Sequence, residues 1–154
     1  MAGRIDARLN ELGIELPMPV APKAAKILHY KQSGNLLYIS GQVPRIDGEI
    51  SFIGKVGREY SLAQGQKAAR TSVLCVLGAA RAALDGDLDR IEEVVRVKGY
   101  INVDPDFTQI SEVLNGASEL LIDLFGDFGR HSRTAIGVSS MPFGVAIEVE
   151  AVLQ

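Results

Sequence analysis

Arg133 lies in GRHSRTAIGV and is followed within twenty residues by the acidic segment VAIEVEAVLQ, which carries Glu148 and Glu150. An arginine fork gives a small carboxylate two parallel hydrogen bonds and fixes its orientation, which a lysine does not. A glutamate whose pKa is raised by burial can position water or move protons near neutral pH. Together they suggest a site that binds and transforms a small anionic substrate. The plainer reading is that both are ordinary strand charges that meet each other or solvent.

Other chemically capable residues are weaker. Cys75 falls on the edge of an apolar stripe with neither histidine nearby, which favours a buried structural thiol over a nucleophile. His29 and His131 are too far apart to form a helical metal pair, and one cysteine with two histidines falls short of a structural zinc set. Asp104 and Asp106 flank a proline where a helix begins, so they read as caps.

The pattern predicts the elements that must hold Arg133 and Glu148. Ile5, Leu9 and Leu12 suggest a short helix ending near Gly13, and LPMPVAPK, with three prolines, follows as an extended linker. KILHYKQSGNLLYISGQVP reads as a hairpin turning at Ser33-Gly34-Asn35, and Asp47-Gly48 offers a second turn. A long helix is expected from Ser61 to Leu84, stopped by Asp85-Gly86. IEEVVRVKGYINV reads as a strand and Thr108 to Phe125 as a second helix. Strands from Thr134 to Ser140 and from Val145 to Leu153 would then form a terminal hairpin around Met141-Pro142-Phe143-Gly144.

These elements predict a two-layer α+β domain, a mixed sheet of about five to six strands covered by two helices, with an extra short N-terminal helix. Residues 1–16 form the helical extension and 17–154 a single domain. In the last strand Val145, Ile147, Val149, Ala151 and Leu153 would face the helices, leaving Glu148 and Glu150 on the other face. The terminal hairpin would put Gly137 opposite Glu148 and Ala135 opposite Glu150, all on Arg133's face, with open space at the two small residues. Arg133 would still lie about 13 Å along the strand from the level of Glu148. A neighbouring subunit supplying one wall would close that gap.

Composition narrows the function classes. The chain has 154 residues, 47% of them hydrophobic, and a net charge of -3, with no basic excess to attract phosphate backbones. Nucleic-acid binding is therefore disfavoured. The N-terminus has scattered charges and no apolar core like that of a signal peptide, and Ser72 to Leu84 is too short to span a bilayer. A cytoplasmic protein without a membrane anchor is expected.

The ordered set YISGQVP, NGAS, RTAIGV, MP and VAIEVEA resembles the reactive intermediate deaminase (Rid) family, also called the L-PSP endoribonuclease or translation inhibitor family. The resemblance covers Pro17 to the C-terminus. The leading helix and the DG, GKVG, NGAS and GRHSR pieces resemble a longer subgroup. It implies a chorismate mutase-like fold, a homotrimer with clefts between subunits, and cofactor-independent hydrolysis of enamines or imines to 2-oxo acids and ammonia. The family's carboxylate-binding arginine matches Arg133, its water-positioning glutamate Glu148, and its pocket asparagine Asn115. Ser40 and Gly41 match the segment that lines the cleft, and backbone groups near Ala135 would orient the reacting atoms. This chain departs from the pattern at Ala135, often cysteine, at Gly137, usually glutamate, and at Ile27, where a pocket tyrosine is expected; Tyr30 is out of register by three. These changes would enlarge or depolarise the pocket. A non-catalytic metabolite-binding or protein-interaction module is the alternative, and endoribonuclease activity a less favoured one.

Overall fold

The computed structural model describes residues 3–21 and 26–154. Helix α1 (Arg4–Glu11) buries Ile5 and Leu9 and ends where Gly13 turns to a φ of 66°. Its N-terminus is capped from a distance: Arg4 and Ile5 donate their backbone N–H groups to the Asp89 carboxylate at 2.6 and 2.8 Å. These donors have no intrahelical partners, and the helix dipole favours the anion there. Asp6 pairs with Arg81 on the body of the domain. The linker follows so closely that a Cβ at Gly78 would overlap the Pro17 carbonyl. Pro22 and Lys23, the end of the proline-rich stretch, lie outside the described residues.

The hairpin of β1 (Tyr30–Ser33) and β2 (Leu36–Gln42) turns through Gly34-Asn35, with Gly34 at a φ of 61°. A small second hairpin, β3 (Arg45–Ile46) and β4 (Glu49–Ile50), turns at Asp47-Gly48, both with positive φ as a primed turn requires. Helix α2 (Leu62–Ala83) opens with a reciprocal capping box between Ser61 and Gln64. After it come β5 (Val94–Asn102), α3 (Ile110–Phe125), β6 (Ser132–Val138) and β7 (Ile147–Leu153). Asp104 is not a cap of α3: its side chain accepts the Asp106 N–H and pairs with Arg58, while the N-cap residue of α3 is Gln109, which makes no side-chain cap hydrogen bond.

The sheet runs β1-β2-β7-β5-β6, with β5 and β6 parallel and the other pairs antiparallel. The expected terminal hairpin therefore does not form, because β5 separates β6 from β7. Strand β5 buries the apolar Val94, Val97 and Ile101, whereas β6 carries Ser132, Arg133 and Thr134, which suit an exposed edge. The strand, helix, strand order of β5, α3 and β6 is a βαβ crossover, the connection parallel strands require. Met141 to Ala146 instead cross the end of β5, where Asn102 donates its side-chain amide to the Val145 carbonyl at 3.1 Å and its N–H to Ala146 at 2.8 Å.

Helices α2 and α3 cover one sheet face, and β7 buries Ile147, Val149, Ala151 and Leu153 beneath them. The two helices meet closely enough that a Cβ at Gly116 would overlap the Gln66 backbone carbonyl. The other sheet face is open and carries Tyr38, Tyr100, Ile136 and Val152 between charged neighbours.

Candidate functional site

Register fixes which side each candidate occupies. Arg133 aligns with Val97 and Ala151, both buried under the helices, so it stands on the helix-covered face. Glu148 aligns with Tyr100 and Ile136 on the open face. The expectation that Arg133, Ala135 and Gly137 share a face with Glu148 is thus overturned. It rested on pairing β6 directly with β7, and the intervening strand shifts the register by one, which exchanges the faces. Within one chain the two charges are two strands apart and on opposite sides.

Arg133 is held by α3. Its Nη1 donates to Asn115 Oδ1 at 2.8 Å and to Ser118 Oγ at 3.2 Å, and its Nη2 donates to the Ser111 hydroxyl at 2.7 Å and the Ser111 carbonyl at 3.2 Å. Ser111, Asn115 and Ser118 are spaced at i, i+4 and i+7, which lines them along one side of the helix. These contacts engage four of the five guanidinium N–H groups, and among the described residues none accepts from Nε. A carboxylate that binds both prongs must displace a serine.

His131 extends the cluster. Its Nδ1 lies 2.6 Å from the Gly129 carbonyl and its Nε2 lies 2.9 Å from Ser118 Oγ. Burial holds the imidazole pKa below its ordinary value and the Arg133 charge adds to the effect, while the Gly129 contact opposes them. Ser111, Ser118 and His131 were not among the site residues read from the sequence, although Ser118 falls in NGAS and His131 in GRHSR. The signal was the polar stripe on α3, legible as a site only once β6 is known to run beside it.

Ala135 packs against the core, and a Cβ on the exposed Gly137 would meet Ile110 Cδ1 and Val103 Cγ2 at 2.8 Å. Ile27 is exposed ahead of β1, and Tyr30 pairs with Ile39 at the opposite edge of the sheet from Arg133.

Glu148 sits beside the second group of candidates. The β2–β7 register slips between Ile39 and Gln42, a bulge at Ser40-Gly41 that turns this segment toward Glu148. A Cβ on Gly41 would overlap the Glu148 carboxylate, so only glycine permits the observed approach. Ser40 ties the bulge down, donating its hydroxyl to the Leu28 carbonyl at 2.6 Å and its N–H to His29 at 2.8 Å. Burial, and secondarily the charge of Glu150, raise the Glu148 pKa. Among the described residues no cluster of three or more histidine, cysteine or acidic side chains could hold a metal, and no helix is long and apolar enough to cross a membrane.

This combination of a mixed five-stranded sheet, two covering helices and an arginine beside an asparagine at the sheet edge defines a class of fold. Residues 6–151 match the family described as "YjgF/chorismate_mutase-like, putative endoribonuclease", and the chain belongs to this YjgF/Rid family. It is 44% identical over 154 residues to Protein TCP17 of Trypanosoma cruzi, covering 99% of this chain and 95% of that protein. The crystal structure of Atu1372 from Agrobacterium tumefaciens, described as having unknown function, superposes with a TM-score of 0.91 at 39% identity, covering 98% and 92% of the two chains. The YjgF gene product of E. coli shares the fold, with a TM-score of 0.62 at 22% identity over 88% of this chain and 91% of that one.

Proposed function

We propose that the protein is a cofactor-independent deaminase that hydrolyses small enamine or imine intermediates bearing a carboxylate, releasing 2-oxo acids and ammonia. The observation that carries the reading is the arginine seated against Asn115 at the β6 edge of a Rid-family chain. A carboxylate recruited there gains a charge-assisted hydrogen bond from Nε and one from an amino group released by a serine. Glu148, with its raised pKa beside the Ser40-Gly41 bulge, has the character of a group that directs water.

Since Arg133 and Glu148 occupy opposite faces of one sheet, the reaction needs an assembly that brings Glu148 of one subunit to Arg133 of another. A homotrimer also covers the open face with Tyr38, Tyr100 and Ile136, which favours this arrangement over a monomer. Ammonia release from freshly generated imino acids tests the activity. Acceleration by the protein that Arg133→Ala abolishes supports it, and equal rates for the two proteins reject it.

A binding module is the second reading, favoured by the serines that already occupy the guanidinium. Thermal-shift titration with 2-oxo acids separates the two, since a ligand shift without turnover leaves binding alone. Ribonuclease action has little support: His131 faces Ser118 and Gly129 rather than a second acid-base group, and the net charge of -3 does not attract RNA.

A further inference from the structure

Within one chain Glu148 lies on the opposite side of the sheet from Arg133, so any acid-base group that the chain itself adds at Arg133 must come from the helix-covered side. The acid-base group bonded into the cluster is His131. Its Nδ1 faces the Gly129 carbonyl, which can only accept, so Nδ1 carries the hydrogen. In the neutral ring Nε2 is then an acceptor, and Ser118 Oγ donates to it across 2.9 Å. The same hydroxyl accepts from Arg133 Nη1 at 3.2 Å, so it links the imidazole to the ligand-binding cation. A backbone carbonyl orients the base, the base polarises a hydroxyl, and the hydroxyl is in contact with the guanidinium.

We propose that Ser118 and His131 form a proton relay serving the imine carbon and nitrogen of a ligand held by Arg133. The inference rests on the deaminase reading above. In a 2-imino acid the reacting carbon is bonded directly to the carboxylate carbon, so anchoring the carboxylate on Arg133 brings that carbon and its nitrogen toward Ser118. Water adds to the carbon, the C=N π pair moves to nitrogen, and nitrogen takes up the proton the water releases. The carbinolamine hydroxyl then passes its proton to Ser118 Oγ while the Ser118 proton moves to His131 Nε2. As the C–N bond breaks, its electron pair leaves on nitrogen, the imidazolium returns a proton through Ser118, and ammonia departs from the 2-oxo acid. No oxidant, reductant or metal is required. Ser118 touches the ligand and is a catalytic residue; His131 acts through it and is a positioning residue.

Burial and the Arg133 charge depress the imidazole pKa, so the ring rests neutral and, once protonated, gives its proton up readily. These are the properties of a transient carrier rather than of a fixed cation.

The test combines kinetics on 2-iminopropanoate, generated in place from alanine by an amino-acid oxidase, with nitrogen NMR of the imidazole in the wild-type protein. Ser118→Ala and His131→Asn are expected to lower kcat by about 100-fold while leaving KM within about twofold, the range for loss of a positioned acid-base group. Ser118→Thr, which keeps the hydroxyl, restores most of the rate. The NMR spectrum is expected to show the Nδ1-protonated tautomer, a readout that does not depend on any variant folding. Unchanged kcat in Ser118→Ala, or an Nε2-protonated ring, overturns the relay while leaving Arg133-dependent deamination intact. Absence of turnover in the wild type, equal to Arg133→Ala, overturns both.

Discussion

The two halves of the candidate site are built in opposite ways. On the helix side, Arg133 is satisfied by Ser111, Asn115 and Ser118 and rests in a preformed hydrogen-bonded cradle. On the open side, Glu148 is crowded against Gly41, has Glu150 as a like-charged neighbour, and holds its charge at a cost. The first arrangement stabilises a charge and fixes its direction; the second keeps a charge poorly compensated and therefore reactive. A site that needs a fixed anchor and a titratable group draws on both, and the sheet keeps them from neutralising each other within one chain.

The sharpest way to break the contrast is at the anchor. Arg133→Ala should lower kcat/KM for imino acids on the order of 10³-fold, as expected when the charged donor for a carboxylate is removed. Arg133→Lys should recover little, because an ammonium cannot span Ser111 and Asn115 with one planar fork. Steady-state ammonia release measures both, and a lysine variant close to wild type would show that charge alone suffices.

The cradle depends on where α3 sits, whereas Glu148 does not. Gly116→Ala forces a methyl group into the Gln66 carbonyl of α2, so the helices must separate. We expect a loss of about 2–3 kcal/mol in denaturant unfolding, typical of overpacking. Binding of 2-oxo acids should weaken with it, while the Glu148 pKa, followed by carboxylate NMR, stays raised. If both regions changed together, they would be one coupled unit.

How much of this was legible in the sequence follows from the same division. Local signals survived folding: the Ser61 cap, the turns at Gly34-Asn35, Asp47-Gly48 and Asp85-Gly86, and the alternation of β7 all depend on neighbouring residues. The pairing of β6 did not. Met141-Pro142-Phe143-Gly144 has the composition of a reversal, yet the strand adjacent in sequence is not the strand adjacent in space. The available clue was nonlocal: an apolar β5 followed by a helix and a polar-edged strand is the pattern of a parallel crossover. Missing it exchanged the faces and hid the contact of β6 with α3, so Ser111, Ser118 and His131 were not named beside Arg133, and Asn115 was named only through the family resemblance.

On the open side, Gly41→Ala should displace the Glu148 carboxylate and lower kcat by about 30-fold, a smaller effect than loss of the anchor, because the carboxylate is moved rather than removed. Binding of a 2-oxo acid should persist, since the cradle is untouched. A variant with normal turnover would mean that the close approach of Gly41 has no part in the reaction.

The smallest effect is also the most direct measure of the strain on Glu148. Because its pKa is raised in the fold, the folded state holds the proton more tightly than the unfolded chain does. The group's contribution to stability is therefore fully present below the unfolded-state value and is lost as pH rises through the raised folded value. At pH 7, far above the unfolded-state value, burial together with Glu150 makes ionisation less favourable in the fold than in the unfolded chain. Glu148→Gln removes the charge and should raise stability at pH 7 by only a few tenths of a kcal/mol, since the group is part-buried and still screened by water. At pH 3, where wild type and variant are both neutral at this position, the gain should vanish. Denaturant unfolding at the two pH values measures the difference. A wild type more stable than Glu148→Gln at pH 7 would mean that the ionised carboxylate is held by favourable contacts, and Glu148 would then belong with Arg133 among the satisfied charges rather than opposite it.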